Sequence, residues 1–184
     1  MRVTPEQKRL ILSLVVLPGP RRSLVVLPGP DPQRRASAEE LIAAFGATDG
    51  KELCGRLLRQ AMAERSAEDV SLTMTLAATF GLNESSLPTL RSLAREPWHH
   101  DHEDISWLLE ELGGPEAVDD LEFLAWAGPE FQVYEGSTSL ASKAVHSLER
   151  IATPSARAAL ARLRRHPEED VRELVERVEA RLDS

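Results

Sequence analysis

The sequence predicts an all-α protein built as a solenoid of about ten helices stacked in antiparallel pairs. Three observations carry that prediction. Ala, Leu, Val, Glu and Arg dominate, whereas the 184 residues include only four Phe, one Tyr and three Trp, so helix formers far outnumber the residues that strands favour. Capping signals recur at short intervals from Ser37 onward. The helical pattern then repeats with a fixed offset, which is the signature of stacked helix pairs that bury their apolar faces only against neighbours.

Residues 1–36 read as a basic arm with a Pro/Gly-rich linker, and residues 37–184 as one helical repeat domain. Thr4-Pro5 marks the start of a first helix, since proline is preorganised for the first helical position. "SLVVLPGPRR" (13–22) is followed directly by "SLVVLPGPDP" (23–32), identical at eight of ten positions, as an in-frame duplication would leave it. Pro-Gly-Pro ends any helix or strand it meets, so residues 18–36 are expected to be irregular. Each "SLVVL" is an apolar segment that invites self-association unless covered.

Beyond the arm each element has its own signals. "SAEELIAAFG" (37–46) supplies a Ser N-cap, Glu40 three residues on, and a closing Gly46. "KELCGRLLRQAMAE" (51–64) aligns Leu53, Cys54, Leu57, Leu58, Ala61 and Met62 on one face. "SAEDVSLTMTLAATFG" (66–81) repeats the capping pattern. Six further helical stretches follow at closely spaced intervals: "SLPTLRSLARE", "DHEDISWLLEELG", "PEAVDDLEFLAWAG", "TSLASKAVHSLERIA", "PSARAALARLRR" and "PEEDVRELVERVEARL". Moving 108–124 along by 39 residues places it on 147–163, with Leu109 on Leu148, Leu112 on Ile151, Pro115 on Pro154, Ala117 on Ala156, Leu121 on Leu160 and Leu124 on Leu163.

These residues support a resemblance. "FG" at 45–46 and 80–81, the Trp98–Asp104 segment, Lys143 before an apolar helix and "IATPSARAAL" (151–160) resemble HEAT-like helical repeats, and more narrowly a group of actinobacterial HEAT-repeat proteins. The resemblance covers about four fifths of the chain and implies a right-handed α-solenoid, a fold shared by binding scaffolds, enzyme subunits and regulators. Two departures stand out: the duplicated arm, and Ala152 where a glycine would be usual.

Charge narrows the function. The chain carries a net −8, divided between +5 on residues 1–36 and −13 on the remainder. An acidic body repels phosphate backbones, so nucleic acid is not the expected ligand. No apolar run approaches the roughly 20 residues needed to span a bilayer, and "LILSLVVL" lacks a small-residue cleavage site after it; a cytoplasmic setting is expected. Cys54 is the sole cysteine and reads as a small buried hydrophobe.

The segment "WHHDHED" (98–104) gathers three histidines and three carboxylates. A metal centre there would draw on His99, His102 and Glu103, but the order is not HExxH and no cysteine assists. The competing reading makes Asp101, Glu103 and Asp104 an N-cap with first-turn acids, as in "SAEE" and "SAED". It gives Trp98 a packing role at the helix start and has a histidine hydrogen-bond a neighbouring turn. That reading is preferred, with no cofactor expected and no catalytic group assigned. His146 reads as a half-buried helix residue and His166 as a cap before Pro167. The insertion "GPEFQVYEGST" (128–138) interrupts otherwise tight connections, and long loops in compact folds often carry binding residues. Trp126, Phe131 and Tyr134 are the candidate anchors, with Glu130 and Glu135 suited to a basic partner. Against this, the same side chains would serve equally well folded back over a helix end. The expected function is binding of another protein, in the manner of an inhibitor or immunity partner. A metal-dependent enzyme at 98–104 and a nucleic-acid-binding repeat protein are the alternatives.

Overall fold

The computed structural model describes residues 3–13, 36–131 and 138–183. Among them every extended element is a helix: α1 (Pro5–Leu12), α2 (Ala38–Ala44), α3 (Gly50–Glu64), α4 (Ala67–Phe80), α5 (Leu87–Leu93), α6 (His102–Gly113), α7 (Val118–Trp126), α8 (Ser139–Ile151), α9 (Pro154–Leu163) and α10 (Glu169–Leu182). None is long and apolar enough to cross a membrane. The chain divides into two compact units, Met1–Asn83 and Glu84–Ser184. The break falls inside the span 37–184 that the sequence reads as one domain. The two "SLVVL" copies lie almost wholly outside the described residues.

The first unit holds α1 to α4. Thr4 and Gln7 form a capping box on α1, and Ser37 and Glu40 form another on α2, each satisfying two amide donors that a helix start leaves open. Residues 3–13 of the arm belong to this unit. Ile11 is fully buried, Gln7 Nε2 donates to the Ala44 carbonyl at 3.0 Å, and Lys8 pairs with Glu68 at 2.5 Å. The basic arm therefore meets an acidic helix start here. The apolar stripe of α3 is as the spacing predicts: Leu53, Cys54, Leu57, Leu58 and Ala61 are buried, with Met62 at the margin. Gly50 lets the first turn of α3 lie against Phe80 at the end of α4, where a methyl group would overlap the ring.

The second unit holds α5 to α10. Helices pack on their neighbours in sequence, and also two along: α6 on α8, α7 on α9, α8 on α10. Burial follows the 39-residue offset. Leu109 and Leu148, Ala117 and Ala156, Leu121 and Leu160, and Leu124 and Leu163 are all fully buried, while Pro115 and Pro154 are both exposed. Three ion pairs join residues 40 apart: Glu103 to Lys143, Glu110 to Arg150 and Glu122 to Arg162. The register is thus marked on the surface as well as in the core.

Two helix boundaries are set by local backbone geometry. Gly114–Ala117 forms a 3₁₀ turn, and α7 begins only at Val118, whereas the matching Pro154 opens α9 directly because Thr153 caps it by accepting from the Ala156 amide. Gly114 has no side chain to make such a cap. At the end of α8, Ala152 takes a left-handed conformation, φ 53° and ψ 13°; that geometry explains why glycine would be usual there.

Candidate functional site

The histidine segment is built by the turn between α5 and α6, and the backbone carbonyls of that turn decide what its rings do. His99 and His102 are fully buried. Their rings stack with centroids 4.2 Å apart and planes 15° from parallel. His99 Nε2 lies 2.9 Å from the Leu93 carbonyl, and its Nδ1 accepts from the Asp101 amide at 3.2 Å. A carbonyl can only accept, so the Nε2 of His99 carries the proton and its Nδ1 lone pair is taken. His102 Nε2 lies 3.0 Å from the Glu96 carbonyl and must also be protonated. Its Nδ1 is buried and accepts no hydrogen bond among the described residues, while the Phe131 backbone beside the ring favours its protonated form and partly offsets burial. Burial holds both imidazoles neutral. The pKa of His99 is lowered, and that of His102 is lowered to about 4, with the neighbouring His99 adding to the effect of burial.

Glu103, the third candidate ligand, faces elsewhere. Burial raises its pKa, but hydrogen bonds to Lys143 and Ser139 more than offset this and hold it below the ordinary value. Among the described residues no three His, Cys, Asp or Glu side chains are placed to share a metal ion. Asp101 occupies the N-cap of α6 as read from the sequence, but its side chain makes no capping bond. Its amide is held by His99 instead, so the imidazole replaces part of the expected cap.

His166 repeats this arrangement. Its Nδ1 accepts from the amide of Glu168, the N-cap of α10, at 3.1 Å, and its Nε2 reaches the Ala125 carbonyl near the end of α7 at 3.0 Å. Each of these histidines stands two residues before an N-cap, clasps a helix end with one nitrogen and a helix start with the other, and has a tryptophan ring 5.1 Å away: Trp98 on His99, Trp126 on His166. Aligning 99–103 with 166–170 would have exposed the equivalence. The acids of the two segments do not show it by themselves. His146 is half-buried in α8 and pairs with Glu149 at 3.1 Å.

A chain of rings continues from the histidine pair. Phe131 packs edge-on against His102 at 5.0 Å and against Phe123 at 5.5 Å, and the Arg95 guanidinium lies 4.6 Å above the Phe123 ring. Arg95 and Arg91 both bind Asp120, at 2.8 and 2.6 Å, and the Asp120 side chain is only 2% exposed. Nothing in "VDDLEF" distinguishes Asp120 from an ordinary first-turn acid, so its burial was not legible. Phe131 itself is 8% exposed; it anchors the 129–131 turn inward. Glu130 is exposed. Tyr134 and Glu135 lie outside the described residues. Trp126 is 41% exposed and, with Leu12, is one of two large apolar side chains so exposed among the described residues. Cys54 is buried, and burial followed by the Asp49 charge pushes its thiol up to about 12, which leaves it protonated and unreactive at neutral pH.

Chemically, the arrangement clasps helices together and leaves one aromatic face open to solvent. Comparison with known proteins finds no matching family model, no matching curated protein and no matching solved structure.

Proposed function

We propose that this chain is a non-catalytic, HEAT-like helical-repeat scaffold, a right-handed α-solenoid that acts in the cytoplasm by binding another protein. The repeat reading is supported by the stacking of α6 on α8 and α7 on α9, with ion pairs at a constant offset of 40 residues. The binding reading rests on one observation: Trp126, at the end of α7 and the mouth of the 128–138 insertion, keeps 41% of its surface in water. Exposed tryptophans at the edge of a rigid element are the residue type most often found at the energetic centre of interfaces. The partner is basic, because residues 37–184 carry a net −13 and complementary charge speeds encounter and rejects wrong partners. An inhibitor or immunity role fits such a surface.

The test pairs affinity capture with a direct titration of each protein captured, using the wild-type chain and Trp126→Ala. A basic protein should bind the wild type and lose about 2 kcal/mol, roughly thirtyfold, with the variant. A partner that binds both chains equally overturns the assignment of the surface. Stoichiometric zinc or iron that disappears in His102→Ala overturns the scaffold reading in favour of a metal enzyme, and salt-sensitive retention on DNA overturns it in favour of nucleic-acid binding.

A further inference from the structure

We infer that α1 is a removable plug: it fills a docking groove on α2 and α4, and a partner's basic amphipathic helix takes the same groove when α1 leaves. The inference is independent of the partner-binding reading at Trp126, which concerns the other unit.

α1 owes its place to few groups. It has 8 residues, and a helix so short does not persist in water without packing. It lies on α2 and α4. Gln7, Lys8 and Ile11 share the docking face, as residues three and four apart on a helix do. Gln7 Nε2 donates to the Ala44 carbonyl at 3.0 Å, Lys8 pairs with Glu68 at 2.5 Å, and Ile11 is fully buried. Val3, just before the cap, is buried as well. The other apolar side chains serve the groove poorly: Leu10 is half-buried and Leu12 is exposed. Ala44 and Glu68 are also exposed, so water replaces both polar contacts when α1 departs. The apolar seating of Ile11 and Val3 is what holds the helix down.

The rest of the unit has supports of its own. α2 starts on the capping box of Ser37 and Glu40, and α3 packs directly on α4 with Gly50 against Phe80. Ser13 and Ala36 are joined by a backbone hydrogen bond of 3.3 Å, and twenty-two residues, 14–35, separate them in sequence. At roughly 3.3–3.6 Å per residue, that length lets α1 clear the groove without pulling on α2. The tether also keeps α1 at an effective concentration on the order of millimolar, so the plug returns unless a competitor binds better.

The resident helix states what a competitor needs. A branched apolar side chain fills the Ile11 position, and a cation three residues earlier meets Glu68 in the first turn of α4. Helices recognised in grooves present their anchors at this spacing, and the carboxylate selects a basic one.

Two measurements on the full chain test the plug. In the wild type the Lys8 and Ser13 amides, bonded to the Thr4 and Arg9 carbonyls, should exchange with solvent about 100-fold faster than the Leu57 and Leu58 amides inside α3, after correction for intrinsic rates, because α1 opens locally. Protection matching that of α3 means that α1 opens only with the whole unit and overturns the proposal. Ile11→Asp, which puts a charge in the buried position, should undock α1 and leave α3 and α4 protected; loss of that protection makes α1 part of the core and overturns the proposal too. A synthetic peptide of residues 3–13 is the probe for the opened groove. Followed through the amide resonances of α2 and α4, it should bind the Ile11→Asp chain at least about tenfold more tightly than the wild type, whose groove is occupied. The same peptide carrying Ile11→Asp should not bind. Equal binding to both chains, or binding to neither, overturns the proposal.

Discussion

Changing Ala152 to glycine should stabilise the protein, although the substitution removes a methyl group from a helical chain and would weaken most positions. Ala152 closes α8 at φ 53°, where a Cβ crowds the following carbonyl at a cost of roughly 1–2 kcal/mol. Glycine removes that strain but gives the unfolded chain more freedom, which offsets about 0.4–1 kcal/mol. Ala152 is exposed, so no buried contact is lost. The net gain is about 0.5–1 kcal/mol, or roughly 0.5 M in the urea midpoint for an m-value near 1.5 kcal/mol/M. Trp98, Trp107 and Trp126 all lie within Glu84–Ser184, so tryptophan fluorescence follows the unit that contains the substitution. Ala158→Gly provides the matched control: the same chemistry at an exposed position inside α9, where glycine should cost about 1 kcal/mol. Opposite signs are the expected result. If both variants are destabilised, the left-handed assignment at Ala152 is wrong and so is the reasoning built on it.

Other perturbations address the remaining contacts. Gly50→Ala should destabilise the first unit by about 1–3 kcal/mol, because the added methyl overlaps Phe80; since that unit has no tryptophan, far-UV circular dichroism is the appropriate measurement. His166→Ala strands the Ala125 carbonyl and the Glu168 amide and should lower stability by about 2 kcal/mol, with a change in Trp126 emission that His146→Ala does not produce. Asp120→Asn should cost about 1–2 kcal/mol in urea unfolding. Arg91 and Arg95 are 43% and 47% exposed, so water can solvate them, and the loss falls short of that for a fully buried pair. Cys54 should resist thiol reagents at pH 8 until the chain is unfolded, as its thiol is raised to about 12; modification of folded protein within minutes would contradict its burial.

What could be read in advance was whatever the chain specifies locally. Ser37 with Glu40 completes a reciprocal cap, and Ser66 and Thr153 each accept from an amide three residues on, all within four residues of chain. The stripe from Leu53 to Ala61 follows from helical spacing alone. The histidines were illegible for the opposite reason. What a ring nitrogen does depends on the atom facing it, and for His166 that atom is a carbonyl 41 residues away. Asp119 and Asp120 are adjacent and chemically identical, yet one is exposed and the other buried beneath two arginines, a difference set by where α5 lies.

The same distinction explains why a segment as rich in donors as Trp98–Asp104 is occupied with holding helices together. A stacked helix pair leaves carbonyls at one end and amides at the next start, and both need partners when the ends are buried. Imidazole meets both needs at once, since a neutral ring carries one donor and one acceptor on opposite sides. An ionised Asp at the cap can satisfy only the amide. His99 and His166 therefore do what two separate caps would otherwise do, each joining a helix end to the next helix start through a single ring.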